Sequence, residues 1–160
     1  MLTTAQLQTL KAAILADPIL AAFPMNSDGA WEIAAAYNLP ASPAWIVWKT
    51  NVDPDDIMRN GMDWTRVDNL SVGKSRIWEW MTKLGTFNAS KANIRSGIDA
   101  CWVGTTADLA VRAMVYTHCK RETTRAEKLF STGTGTDASP ATMTFEGQLS
   151  YQDVVLARNS

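Results

Sequence analysis

The stretch with the most obvious chemical potential is GTGTDA, Gly133 to Ala138, which has the glycine spacing of loops that cradle dinucleotide phosphates. Such a loop must turn sharply out of a parallel strand and open a helix whose N-terminal amides meet the pyrophosphate. Here the glycines follow a helical pattern ending at Lys128 and Phe130, and Pro140 follows before a helix could form. A Gly-Lys-Ser/Thr run is also missing after them, which removes the lysine of a nucleotide-binding P-loop. The stretch therefore reads as a polar loop, with Gly133 and Gly135 as the hinge of whatever follows.

Nucleophilic catalysis would need a base beside a serine or cysteine, and His118 is the only histidine. Its sequence neighbour Cys119 would point about 100° away on a helix, so the two do not make a dyad by adjacency. Cys101 and Cys119 are the only cysteines, and with no second pair at metal-ligand spacing they read as two free thiols. Asp53, Asp55 and Asp56 form an acidic cluster, but the glycine and distal glutamate of a calcium loop are missing. A helix N-terminus accounts for those charges. The expectation is a non-enzymatic chain without cofactor or metal.

Two groups of residues remain as binding candidates. Lys120, Arg121, Arg125 and Lys128 would place positive charge at one end of a long helix, for which contact with DNA is one reading and compensation of the helix dipole the simpler one. Seven tryptophans could stack on bases or sugars, but Trp78 and Trp80 fall on different helix faces with no basic groove between them. Core and interface packing explains them better.

Positioning these residues requires a mainly α fold, a compact helical bundle with a long central helix. Apolar spacing predicts a helix from Thr4 to Leu15 behind Thr3 or Thr4 as cap, and Asp17-Pro18 starts a short second one that ends before Pro24. Ser27 is the expected cap of a third, through Trp31, Ile33, Ala34 and Tyr37. Residues 44–49 suit either strand or short helix, and Asp53-Pro54 opens an acidic helix through Arg59, ended by Gly61.

Leu70, Ile77, Trp78, Met81 and Leu84 predict a helix over 69–83, stopped by Gly85, and Ser90 caps another over 91–102. The longest helix is expected from Ala107 to Phe130, behind Thr105 or Thr106. Residues 142–146 alternate polar and apolar as a half-exposed strand does, and Ser150 with Asp153 forms a weak capping box for a last helix to Arg158. The organisation that results is a helical body over 1–130 and an extended C-terminal arm over 131–160, a single domain overall. In the arm, Met143 and Phe145 would be the apolar anchors of a strand or hairpin that orders on assembly.

With 160 residues, 46% of them hydrophobic, the chain is long enough for one domain with a real core. Its net charge of -1 excludes a surface that grips nucleic acid all over. The charge is uneven, since residues 1–60 carry three Lys or Arg against six Asp or Glu, and residues 61–100 carry six against four. The N-terminal run has no basic leader and no apolar segment has the length of a membrane span, so the chain is expected to be soluble and cytoplasmic when made.

Four stretches carry a resemblance: LTTAQLQTLKAAILADP, NSDGAWEIAAAYNLPASP, SKANIRSGID and TRAEKLFSTGTGTDASPATMTFEGQLSYQDVVLARN. They resemble a family of small proteins encoded by tailed double-stranded DNA bacteriophages and prophages, over nearly the whole chain, with Thr124 to Asn159 the most specific part. The resemblance implies a structural part of the virion, and the anatomy is similar to head-tail connectors, or adaptors, which form a ring beneath the portal. No catalytic residues carry over by that analogy. The implied partners are other copies of the chain in a homo-oligomeric ring, the portal, tail or neck proteins, and packaged DNA without sequence preference, with no membrane. Other tail or capsid accessory roles are the nearest alternatives. A small DNA-binding regulator, which would need a recognition helix with solvent-facing Arg, Lys, Asn or Gln, is the alternative of another class.

Overall fold

The computed structural model describes residues 1–83 and 85–160, so the expected contribution of Leu84 lies outside the described residues. The chain is mainly α. In order come α1 (Thr4–Ala16), α2 (Pro18–Ala21), α3 (Ser27–Asn38), β1 (Ile46–Trp48), α4 (Pro54–Arg59), α5 (Trp64–Asp68), α6 (Val72–Lys83), α7 (Ala92–Cys101), α8 (Thr106–His118), β2 (Lys120–Glu122), α9 (Arg125–Leu129), β3 (Ser131–Thr132), β4 (Thr142–Met143) and α10 (Tyr151–Asn159). β1 neighbours β2 in one small sheet, and β3 pairs antiparallel with β4, Ser131 opposite Met143.

Local capping chemistry sets most of these boundaries. Thr3 and Gln6, Thr105 and Asp108, Thr124 and Glu127, and Ser150 and Asp153 each complete a reciprocal capping box, while Asp17 and Asp53 cap helices with proline in the first turn. Asn26, one residue before the expected Ser27, caps α3 by accepting from the Gly29 amide. α7 begins after Lys91 with no side-chain cap, so Ser90 does not serve there. The segment at 44–49 resolves as strand β1. The expected helix over 69–83 starts at Val72, and the short α5 before it, capped by Asp63, carries no signal strong enough to stand out in the sequence.

The long helix expected over 107–130 is not formed. α8 ends at His118, Cys119 closes it, and the chain runs extended through β2 before α9 restarts. The physical reason lies in Thr123-Thr124. The Thr124 hydroxyl accepts from the Glu127 amide while the Glu127 carboxylate accepts from the Thr124 amide, and this box starts a new helix where apolar spacing alone suggests continuity.

The chain divides into two compact units, residues 1–46 with 122–160, and residues 47–121. This differs from the expected division at residue 130. In the first unit, α10 packs on α1 and α3, and the core is built on Leu10, Ile14, Ile33, Ala34, Phe130 and Val154. In the second, α6 packs on α7, and α4 and α5 on α8, around Trp102, Ile57, Ile98, Val115, Trp78 and Phe87.

Residues 131–160 are not an extended arm. Ala141, Leu149, Val154 and Ala157 are buried in the first unit, and Phe145 meets Phe130 edge-on at 5.4 Å between ring centroids. The Ala141 amide donates to Ile46, the Thr144 amide to Phe130, and the Leu149 amide to the Asn38 side chain. Period-2 patterning here marks a short hairpin folded onto its own helices, which offer the apolar surface and the hydrogen-bond partners.

Candidate functional site

In the second unit, side chains of α6, of α7 and of the segment between them line an open groove of about 510 Å³. Ile77, Trp80 and Met81 of α6 and Ile94 and Gly97 of α7 line it, with Phe87 between the helices and Lys91 at the rim. The α6 residues follow from helical spacing, because Trp78 turns inward to meet Trp102 edge-on at 5.2 Å, which sends Ile77, Trp80 and Met81 toward the groove side. Gly97 keeps the floor open, since a Cβ there would stand 3.3 Å from Met81 Sδ. Trp80 is 73% exposed and Ile77 40%. A tryptophan this exposed beside an apolar concavity is the composition of an unfilled contact surface.

The surrounding charge is mostly positive. Arg76 and Lys83 flank Trp80 at helical spacing on α6, Lys91 sits on the rim, and Glu79 is ion-paired with Lys83. The unit as a whole carries eleven Lys or Arg against eight Asp or Glu, a net charge of +3. The first unit carries four against eight, a net charge of -4. Charge counts along fixed blocks of sequence blur this contrast, because the first unit is assembled from both ends of the chain.

The four basic residues expected at one helix end are dispersed. Lys120 and Arg121 lie on β2 within the second unit, and Arg125 and Lys128 lie on α9 within the first. The latter two line an open cleft of about 530 Å³ together with Tyr37, Trp45 and Ser131. Arg125 lies over the Tyr37 ring at 5.3 Å and pairs with Asp17 at 3.3 Å, and Lys128 lies over Trp45 at 4.9 Å. Amides of Leu20 and Ile19 hold the Asp17 carboxyl below its ordinary value, and Arg125 adds to this. Burial pushes the Tyr37 hydroxyl up. These two cations are thus engaged on aromatic faces, which is a packing role.

The expected hinge glycines have a packing role too. Both take positive φ, 122° at Gly133 and 64° at Gly135, and a Cβ on Gly135 would fall 2.1 Å from the Trp45 ring. The Gly135 carbonyl accepts from Ile46, and the Trp45 indole N–H donates to Ser131 Oγ at 2.9 Å. Opening at these glycines would break the Ile46 bond and uncover the indole. Of the expected anchors, Met143 lies in β4 opposite Ser131, and Phe145 packs half-buried on the first core.

His118 and Cys119 do not act together. His118 Nε2 lies 3.2 Å from the Asn60 carbonyl, while Cys119 is fully buried and desolvation pushes its thiol up to about 12. Cys101 is pushed up to about 11 for the same reason, and both are free thiols. Among the described residues, no group of three or more His, Cys, Asp or Glu is placed to hold a metal ion. Asp53 and Asp55 serve α4, Asp53 accepting from the Asp55 amide and Asp55 pairing with Arg59. Among the described residues no helix is long and apolar enough to cross a membrane.

The chain matches no family model, no curated protein and no solved structure.

Proposed function

We propose that this chain is a structural subunit of a tailed-bacteriophage virion, a head-tail connector that associates with copies of itself beneath the portal. The observation that carries the reading is the exposed groove at Trp80, an apolar surface of interface composition in a unit of net charge +3, within a chain whose other unit has net charge -4. Units of opposite net charge favour contact between the second unit of one copy and the first unit of another, and head-to-tail repetition of such a contact closes into a ring or runs on as a filament. The phage-like stretches supply the setting, and the portal and the tail or neck proteins are the further partners.

Imaging of the intact virion tests the setting. The expected result is a layer of copies between portal and tail; a position on the capsid surface or among tail fibres would overturn the connector reading. Sedimentation and native mass spectrometry of the purified chain test self-association, with assemblies larger than one chain expected. Raising the salt concentration should weaken them, because complementary exposed charges are screened within about 10 Å at 0.1 M.

A further inference from the structure

The self-association reading leaves open which surface enters the groove, and we infer that it is the outer face of α3 from a second copy, with Trp31 as the inserted side chain. α3 buries Ala30, Ile33, Ala34 and Tyr37 on one side, and its opposite side presents Asp28, Trp31, Glu32 and Ala35 to solvent. That outer set has the i, i+3, i+4, i+7 spacing of a helix that docks in a groove. Trp31 is 60% exposed, yet it is held in place by stacking on Tyr151 at 5.3 Å between centroids and 20° between planes. A tryptophan already ordered before contact loses little side-chain freedom on insertion, the property of an interface anchor.

Charge selects this face. α3 contains two carboxylates, Asp28 and Glu32, on either side of Trp31 and no Lys or Arg. The groove answers with Lys91 in its lining and with Arg76 one helical turn before Trp80 on α6, while Lys83 and Glu79 pair with each other. The other exposed large apolar residues of the first unit, Met1, Leu15, Ile19, Met25, Leu39 and Leu156, have no comparable pair of acids at helical spacing beside them. Repeated head to tail, as a ring requires, this contact leaves one unused knob at one end of an open assembly and one unused groove at the other until the assembly closes.

That asymmetry gives the test, which rests on the self-association reading and separates the two. Trp31→Asp removes the knob and Trp80→Asp spoils the groove; both side chains are mostly exposed, so each variant should keep the wild-type circular dichroism, and the unfolding midpoint should fall only slightly, for Trp31→Asp through its lost stacking on Tyr151. Each variant alone is expected to sediment as a single chain. Mixed in equal amounts they should form a one-to-one dimer and nothing larger, because the mixture holds one intact knob and one intact groove per pair. As a second arm, Asp28→Lys with Glu32→Lys should prevent assembly, and Lys91→Glu with Arg76→Glu in the same chain should restore part of it. If wild type assembles and either tryptophan variant does too, or if the mixture stays monomeric, the α3 pairing is wrong while self-association stands. If wild type itself sediments only as a single chain, both fall.

Discussion

The first unit brings its helices together on small side chains, Ala30, Ala34, Ala126 and Ala157 being almost inaccessible, whereas the second packs around Trp102, Trp78, Ile57 and Phe87. Their polar groups differ in the same way. In the first unit, the Asn38 amide both donates to and accepts from Leu149, and the buried Glu127 carboxylate accepts from the Thr124 and Gly147 amides. In the second, the buried indole N–H groups of Trp78 and Trp102 find no partner among the described residues. The first unit thus joins distant pieces of chain by specific polar latches over a tight core, and the second relies on apolar volume. Large aromatic side chains in a unit of 75 residues also cannot all be enclosed, and Trp64 and Trp80 are left on its surface.

The contrast makes unequal demands on single substitutions. Trp102→Ala should have the largest effect, about 3 to 5 kcal/mol lost, since it empties the centre of the second core. Hydrogen exchange would show where: faster exchange confined to residues 47–121 is expected, and a uniform rise over the whole chain would mean that the two units unfold as one. Gly135→Ala should cost the first unit about 3 kcal/mol, because the new Cβ collides with the Trp45 ring and the backbone there has positive φ. A neutral outcome in denaturant titration would show instead that Trp45 swings aside easily, as a hinge needs. Asn38→Ala should cost about 1 to 2 kcal/mol, as it strands both backbone groups of Leu149, and its exchange signature should appear at the start of α10.

The sequence made the helix starts legible because capping boxes and Asp-Pro pairs are local and their chemistry is written in four or five adjacent residues. Ser150 with Asp153 was of this kind, and Thr105 was one of the two caps expected for α8. The stop inside the expected long helix was harder, since Cys119 to Thr123 contains no Gly or Pro, and the extended path depends on partners far away, Thr123 bonding to Trp45 and Lys49 to Cys119. The same limit applied to Gly133 and Gly135. Glycine flags unusual backbone, but only the distant Trp45 ring tells a close packing contact from a free joint. The division into two units was invisible for a related reason, as it joins residues 1–46 to 122–160. The groove was half legible: helical spacing separated Trp78 from Trp80, while the apolar concavity beside Trp80 depends on where α7 packs.

The smallest expected effect concerns a device that both units share. Asp108 in the second unit and Asp153 in the first each hold the N3 position of a capping box. The Thr105 hydroxyl, donating to the Asp108 carboxylate, and then the Thr105 amide hold its carboxyl below the ordinary value, with Arg66 and Lys74 adding to this and burial opposing it. At Asp153 burial raises the carboxyl, but the Ser150 hydroxyl and amide outweigh it, and the carboxyl again ends up low. A carboxyl lowered by folding contributes stability above its unfolded value, and loses that contribution as the pH falls through the folded value. Asp108→Asn and Asp153→Asn should therefore lower the urea midpoint slightly at pH 6, and the gap to wild type should narrow as the pH is taken below the ordinary aspartate range. If the two gaps narrow together, the boxes are equivalent despite their different cores. A gap that persists unchanged in acid would mean that the lost hydrogen-bond geometry, not the charge, is what each box supplies to its unit.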